Sequence, residues 1–409
     1  MKDWQIMKKY PIGIQNFEKL RLQGYCYIDK TALIYSLVSR GNYYFLSRPR
    51  RFGKSLLIST LEAYFLGKKD LFEGLEIEGL EKEWKKYPVL HLDLNTKKYD
   101  AESSLTDILE ENVSGWVSQY GNNPAEIGLE RRFAGVIRRA HEKSGVPAVI
   151  LVDEYDKPLL QAIGNRALQD NYRNTLKAFY GALKSEDGHI RFAMLMGVTK
   201  FGKVSVFSDL NNLEDISMRK ETADLCGISK AELLEYFDED IRALARNNGQ
   251  TLEEALARLE EDYDGYHFCP GCPGIYNPFS LLNAFKSKEY GSYWFETGTP
   301  TYLVELLKQS DYDLERLSRE ETDTDTLDCV FDTDSPVPVI YQSGYLTIKK
   351  YDPRFGLYTL GFPNREVEEG FLKFLLPYYT GIRSSQSAFS IKMFVKDVES
   401  GNIDGFMRR

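Results

Sequence analysis

The chain has 409 residues, 43% of them hydrophobic, 28% charged and 13% aromatic. That is long enough for two or three domains with their own cores, and it excludes a disordered, low-complexity or fibrous protein. The net charge of −9 is uneven: residues 1–200 carry 30 Lys and Arg against 25 Asp and Glu, residues 201–409 carry 22 against 36, and the first 54 carry 11 against 3. Global charge therefore gives no argument for nucleic-acid binding, although the N-terminal region has the charge to attract anions.

The longest clear apolar run, Ala148 to Val152, is far short of the roughly 18 residues of a membrane span. The N-terminus has no continuous apolar segment after its charges, which argues against a secretory signal. Five cysteines in a chain of this size point to a reducing compartment, so a cytoplasmic protein with no membrane partner is expected.

In chain order, four runs read as strands: Tyr43 to Leu46, Pro88 to Leu94, Ala148 to Val152 and Arg191 to Val198. Most are apolar on both faces and end in a polar residue, as parallel strands covered on both sides do. Helix-length segments lie between them at Lys54 to Phe65, Ser103 to Tyr120, Pro124 to Ser144 and Asn165 to Ser185. Alternating strands and helices predict an α/β parallel sheet over residues 15–215. Beyond Leu213, Ser229 with Glu232 and Thr251 with Glu254 are capping boxes opening two helices. A Gly/Pro/Cys/Tyr-rich stretch follows at 263–278, then an acidic one at 309–336 that reads as a flexible or solvated connector. Val339 to Ile348 and Gly356 to Leu360 read as a hairpin, followed by a helix from Arg365 to Tyr378. The expected division is a core domain at 1–215, a helical lid at 216–308, the connector at 309–336, a winged-helix-like hairpin and helix at 337–384, and the start of a further domain at 385–409.

Ser47-Arg48-Pro49-Arg50-Arg51-Phe52-Gly53-Lys54-Ser55 sits between the first strand and a helix, the context a phosphate-binding loop requires. In such a loop backbone N–H groups and a helix N-terminus wrap the phosphates. Lys54 would neutralise the β- and γ-phosphates and the Ser55 hydroxyl would hold Mg²⁺, with Pro49, Arg50, Arg51, Phe52, Gly53 and Leu56 completing the candidate nucleotide contacts. The usual first glycine is replaced by Arg48. The run Ala148 to Val152 delivers Asp153 and Glu154 at its end, the first placed to hold the metal and the second to polarise water. Helix capping is the bland alternative for that acidic pair. The fourth strand ends in Thr199 and Lys200, with Thr199 the candidate sensor of the γ-phosphate and Lys200 the weaker one. Arg48, Arg50 and Arg51 either stabilise transferred charge or pair with carboxylates on the surface or across a subunit contact.

These strings, together with Tyr10-Pro11-Ile12-Gly13, Tyr27-Ile28-Asp29-Lys30-Thr31, Val152 to Asp156, Gly197 to Phe201, Leu210 to Leu213 and Tyr276-Asn277-Pro278-Phe279-Ser280, resemble the bacterial AAA-ATPase-like family. The arginine at position 48 belongs to that family's own pattern. The resemblance covers most of residues 10–300. It implies a P-loop NTPase parallel sheet flanked by helices, followed by a helical or winged-helix-like lid, with ATP and Mg as cofactors. It also implies assembly into a homo-oligomer and, in many members, an appended PD-(D/E)XK nuclease-like domain through which nucleic acid would be reached. Residues 402–409 resemble the approach to that domain, whose carboxylates and lysine have no match in 380–409, so nuclease activity is not assigned.

His267-Phe268-Cys269-Pro270-Gly271-Cys272 invites a metal or redox reading, but a structural zinc site needs four ligands and the next cysteine is Cys329. The aromatics around Tyr263, Tyr266 and Phe279 read as a core seam. His91, His141 and His189 form no nucleophile–base grouping. The leading expectation is a Mg-dependent ATPase acting as a nucleotide-driven switch, with Lys54, Glu154 and Thr199 as catalytic residues and Ser55 and Asp153 on the metal. The alternatives are a non-hydrolysing nucleotide-binding module serving a nuclease-like domain or partner, and a DNA-associated regulator.

Overall fold

A computed structural model describes residues 8–200, 212–296, 303, 306, 307, 320–328 and 335–380. Among these a parallel sheet of five strands is built from β1 (Tyr43–Ser47), β2 (Val89–Asp93), β3 (Ala148–Asp153), β4 (Ile190–Gly197) and β5 (Glu214–Asp215), in the order β2-β3-β4-β1-β5. The period of two sorts side chains to opposite faces. Tyr44, Leu46, Val149, Leu151, Met194 and Met196 pack on one side, and Tyr43, Phe45, Ile150, Val152, Ala193 and Leu195 on the other.

The first face is covered by α2 (Thr31–Arg40) and α3 (Lys54–Phe65), with α1 (Phe17–Leu22) and α4 (Glu76–Leu80) beside them. The second is covered by α5 (Ser104–Tyr120), α6 (Leu129–Ser144), α7 (Lys157–Gln161) and α8 (Arg166–Ser185). The fold is thus the α/β sandwich expected of parallel strands buried on both sides. The order places β4 between β1 and β3, so the end of β4 lies between the loop after β1 and the acidic pair after β3.

Next come β6 (Ile228–Ser229), α9 (Lys230–Asn247), α10 (Leu252–Tyr263), β7 (Ile275–Tyr276), α11 (Pro278–Ser287) and α12 (Tyr293–Glu296). Both capping boxes are formed, Ser229 with Glu232 and Thr251 with Glu254. Asn277 caps α11 by accepting from the N–H groups of Phe279 and Ser280. The chain then forms β8 (Glu321–Asp323), α13 (Thr324–Asp328), α14 (Val337–Gln342), β9 (Thr347–Asp352), β10 (Leu357–Gly361) and α15 (Arg365–Thr380). The strands make an antiparallel sheet of order β8-β10-β9.

Two expectations change here. Residues 320–328, read as a solvated connector, supply an edge strand and a helix, with Glu320, Thr322 and Asp328 buried. The Asp328 carboxylate is 2.7 Å from the buried ammonium of Lys200, which is also 3.1 Å from Asp215, so a charge assigned to solvent is used inside. The first arm of the expected hairpin is helical at 337–342, since Pro338 in the first turn suits a helix start and its missing N–H would interrupt a strand ladder. The candidate nuclease-like start at 385–409, Cys329, Phe201, Leu210 and Asn211 lie outside the described residues.

The later elements close onto the first sheet. Trp294, Leu327, Ile340, Leu346, Leu360, Val367 and Phe371 share one apolar cluster with Leu46, Ile58 and Met196. Gly344 (φ +89°) approaches Pro49 so closely that a Cβ there would meet the proline ring at 2.6 Å. Glu366 on α15 ties these parts together, accepting from Ser280 Oγ at 2.7 Å and from the Trp294 N–H at 2.6 Å, while the Trp294 indole donates to the carbonyl of Arg50 at 3.0 Å.

Burial pushes the Glu366 carboxyl up to about 7. A raised carboxylic pKa means that the folded state holds a proton the unfolded chain has released. The stability it confers is complete below the ordinary carboxylate range and is lost as pH rises through about 7. Glu366→Gln is therefore expected to remove about 3 kcal/mol of pH-dependent stability between pH 4 and 8. Urea unfolding midpoints across that range check this, a wild-type slope retained in the variant being the contrary result.

Candidate functional site

The loop after β1 opens with the Arg48 N–H donating to the carbonyl of Gly197 at 3.1 Å, which continues the β1–β4 pairing. The Arg48 side chain is 1% exposed. Its guanidinium donates to the carbonyls of Ser47, Ser217 and Thr222 at 2.8–2.9 Å and lies 4.1 Å from the centre of the Phe268 ring. At 1% exposure Arg48 is an internal anchor and not a surface or subunit-contact cation: it holds the base of the loop with carbonyl acceptors and, among the described residues, no carboxylate.

Phe52 is buried against Tyr266 and Phe268, with ring centres 4.7 and 5.5 Å away, and its carbonyl accepts from the Gly227 N–H. Gly53 turns the chain at φ +91°, a region costly for any residue with a Cβ, and α3 starts at the next residue. The first-turn amides of α3 have no intrahelical partners by the geometry of a helix, and no side chain caps them. Together with the helix dipole they make an anion-binding end.

That end faces a cavity of about 850 Å³. Of the candidate nucleotide contacts, Arg50, Arg51, Gly53, Lys54, Ser55 and Leu56 line it. Pro49 and Phe52 do not; Phe52 lines a smaller apolar cavity of about 110 Å³ behind the loop. Lys54 is buried, its ammonium donating to the carbonyls of Arg48 and Pro49 at 3.2 and 3.3 Å and lying 3.5 Å from Glu154 Oε1. Glu154 is a non-glycine residue held at φ +52°, strained backbone of the kind concentrated at functional sites.

Asp153 is 4% exposed and accepts from the Glu154 N–H at 3.0 Å. Burial and the adjacent Glu154 push its carboxyl up, while a hydrogen bond from Ser55 and the charge of Lys54 work against that. Ser55, in the first turn of α3, and Asp153, at the end of β3, are thus hydrogen-bonded neighbours.

Thr199 is placed differently from the expectation. It is fully buried, with its N–H and hydroxyl both donating to Asp156 Oδ2 at 2.6 Å and its carbonyl accepting from the Tyr155 hydroxyl at 2.7 Å. It does not line the cavity, and its link to Glu154 runs through Asp156 two residues on. Burial, with Glu154 adding to it, raises the Asp156 carboxyl to about 6. Lys200 likewise turns away, to Asp215 and Asp328.

Lys157 was missed. It lines the cavity beyond Glu154, its ammonium donating to the carbonyl and side chain of Asn95 at 2.6 Å. Burial holds its pKa below the ordinary value, with Arg50 adding and Glu154 and Asp93 opposing. Its position three residues after Glu154, at the start of a helix, was the available signal. The cavity lining also has an apolar part, Pro11, Ile12, Pro278, Phe279 and Leu282, with the Arg51 guanidinium 5.1 Å from the Phe279 ring centre.

Cys269 and Cys272, both buried, are joined as a disulfide across a surface turn whose Pro270 and Gly271 are exposed. His267 Nδ1 lies 2.8 Å from the carbonyl of Cys272, directed at the turn backbone. Among the described residues no group of three or more His, Cys, Asp or Glu is arranged to hold a metal. No helix among them is long and apolar enough to cross a membrane.

Comparison with known proteins matches residues 11–207 to a family described as predicted AAA-ATPase. Over 384 residues the chain is 38% identical to an "Uncharacterized protein in vnfD 5'region" of Azotobacter chroococcum mcd 1, covering 91% of this chain and 70% of that one. The chain belongs to the predicted AAA-ATPase family. Solved structures resembling this family member include Aeropyrum pernix ORC1 in complex with DNA and A. pernix ORC2 in ADPNP–ADP complexes. Each is 10% identical, with TM-scores of 0.30 and 0.27; they cover 84% and 83% of this chain, and the chain covers 92% and 91% of them. At such scores the likeness carries no argument; the P-loop assignment rests on the family, the sheet order and the loop geometry.

Proposed function

We propose that the chain binds ATP with Mg²⁺ in the 850 Å³ cavity and hydrolyses it, using the cycle to shift residues 216–380 against the sheet. The observation that carries this reading is that Lys54 and Ser55, following β1, and Glu154, following β3, line a single cavity, with Asp153 hydrogen-bonded to Ser55. The apolar lining of Pro11, Ile12, Phe279 and Leu282 suits a base, and the start of α3 with Lys54 suits phosphates.

The residues fit a hard divalent cation. Ser55 and the buried Asp153 are oxygen donors in contact, and Asp153 carries a carboxylate whose burial a cation would relieve. When bound, Mg²⁺ would neutralise charge developing on the phosphates. Lys54, released from Glu154 and the loop carbonyls, would pair with the phosphates. Glu154 would then be free to orient water and accept its proton, and Lys157 would face the charge developing beyond it. A resting Lys54–Glu154 pair is equally compatible with a module that binds nucleotide without turning it over, should Glu154 stay engaged.

Lys54→Ala is expected to weaken binding of MgATP about a hundredfold, near 3 kcal/mol. Calorimetry on wild type and variant tests this. Equal affinity in the two would remove the phosphate-loop reading.

A further inference from the structure

We infer that Cys269 and Cys272 form a reversible thiol–disulfide exchange site, served by a dithiol reductant, whose redox state sets the order of the phosphate loop. The two cysteines are three residues apart with Cα atoms 5.3 Å apart, within the range a disulfide spans. A bond closing so short a loop removes little entropy from the unfolded chain, so its contribution to global stability is small. Its effect is local. Cys-x-x-Cys is the spacing at which one turn accommodates both dithiol and disulfide. Here Pro270, Gly271 and Pro273 are exposed while Cys269 and Cys272 are 3% and 5% exposed, so a modest opening of a surface turn admits a reductant.

What the turn supports distinguishes it from a passive clip. Phe268, next to Cys269, has its ring against Phe52 of the phosphate loop and under the guanidinium of Arg48. The cysteines also pack on Ala223, whose neighbour Thr222 supplies a carbonyl that Arg48 holds at 2.9 Å. On the other side the turn is pinned to β9, where the His267 N–H donates to Thr347 Oγ1 at 2.7 Å. Two of the contacts that anchor Arg48 therefore rest on the disulfide turn. The site lies behind the loop, since neither cysteine lines the main cavity.

The exchange balances within the site. A thiolate of the reductant attacks one sulfur, forming a mixed disulfide and releasing the other as a thiolate that takes a proton. The reductant's second thiol displaces the protein sulfur, which is protonated in turn. Two electrons and two protons pass to the pair, and the reductant leaves as its own disulfide.

The test uses the full chain, oxidised in air or reduced with dithiothreitol as the dithiol probe. Alkylation and peptide mapping report the state of 269 and 272, and amide hydrogen exchange reports on residues 48–57. Reduction is expected to free both thiols and to lower protection of that segment about tenfold. Affinity for MgADP should fall about three- to tenfold. Cys269→Ser with Cys272→Ser should match the reduced protein in either condition. Free thiols at both positions in the air-oxidised chain would overturn the inference, as would identical exchange in the two states. The exchange readout needs no nucleotide, so a chain that binds none in any state would remove the nucleotide reading and leave this site to be decided by exchange alone.

Discussion

Glu154→Gln is expected to lower ATP turnover by about 10²–10³-fold, some 3–4 kcal/mol of barrier, while MgATP binding is kept or tightened. The amide has the shape of the carboxylate but cannot accept a proton from water. It also cannot pair with Lys54, whose ammonium now lies 3.5 Å from Glu154. Opening that ion pair opposes nucleotide binding in the wild type, so its removal leaves Lys54 more available to phosphate. The strained backbone at 154 is expected to persist, because Asp153 accepts the residue's N–H and its side-chain partner plays no part in that bond. Steady-state phosphate release beside calorimetry separates the two effects. Equal and barely detectable turnover in both proteins, with binding intact, would establish the module that holds nucleotide without consuming it.

Lys200→Met is expected to be the most destabilising single change, costing about 3–5 kcal/mol. The ammonium is 4% exposed and lies between Asp215 on β5 and Asp328 at the end of α13. Burial alone would depress its pKa, and the two aspartates more than reverse that. For Asp215, burial would raise the carboxyl, but Lys200 and Ser217 hold it below the ordinary range. Removing the cation leaves two carboxylates facing each other with little water, a larger loss than the pair's own attraction. The deficit should shrink as pH falls into the carboxylate range, since protonation of either aspartate relieves the repulsion. Urea denaturation at pH 8 and pH 5 reads both quantities. A deficit under about 1 kcal/mol at pH 8 would mean that the pair behaves as a surface bridge.

The parallel sheet and its helices were legible because each strand carries its own signal. Ala148 to Val152 is apolar at every position, and Gly53-Lys54 marks both the end of a loop and the first residue of α3. Four short strands were missed, and two of them lack propensity of their own. Glu214–Asp215 and Glu321–Asp323 are acidic and enter sheets only because a neighbour offers an unpaired edge. Lys54, Ser55, Asp153 and Glu154 could be found because their chemistry is local to two short strings. The work of Arg48 could not, since its acceptors at 217 and 222 and the ring at 268 are remote in sequence. Thr199 was misplaced for a related reason: a hydroxyl at a strand end reads the same whether it faces a cavity or a buried carboxylate such as Asp156.

The apolar cluster that joins Leu46, Ile58 and Met196 to Trp294, Ile340 and Phe371 limits how the two halves can move. A hinge needs a bare joint, and here the parts meet through interlocked side chains, with Pro49 seated on Gly344. Any rearrangement driven from the loop must proceed by shear, a sliding of packed surfaces through small steps and changes of rotamer. A stroke of the proposed kind would be short and stiff, better suited to altering the fit of a bound partner than to swinging a domain through a wide arc.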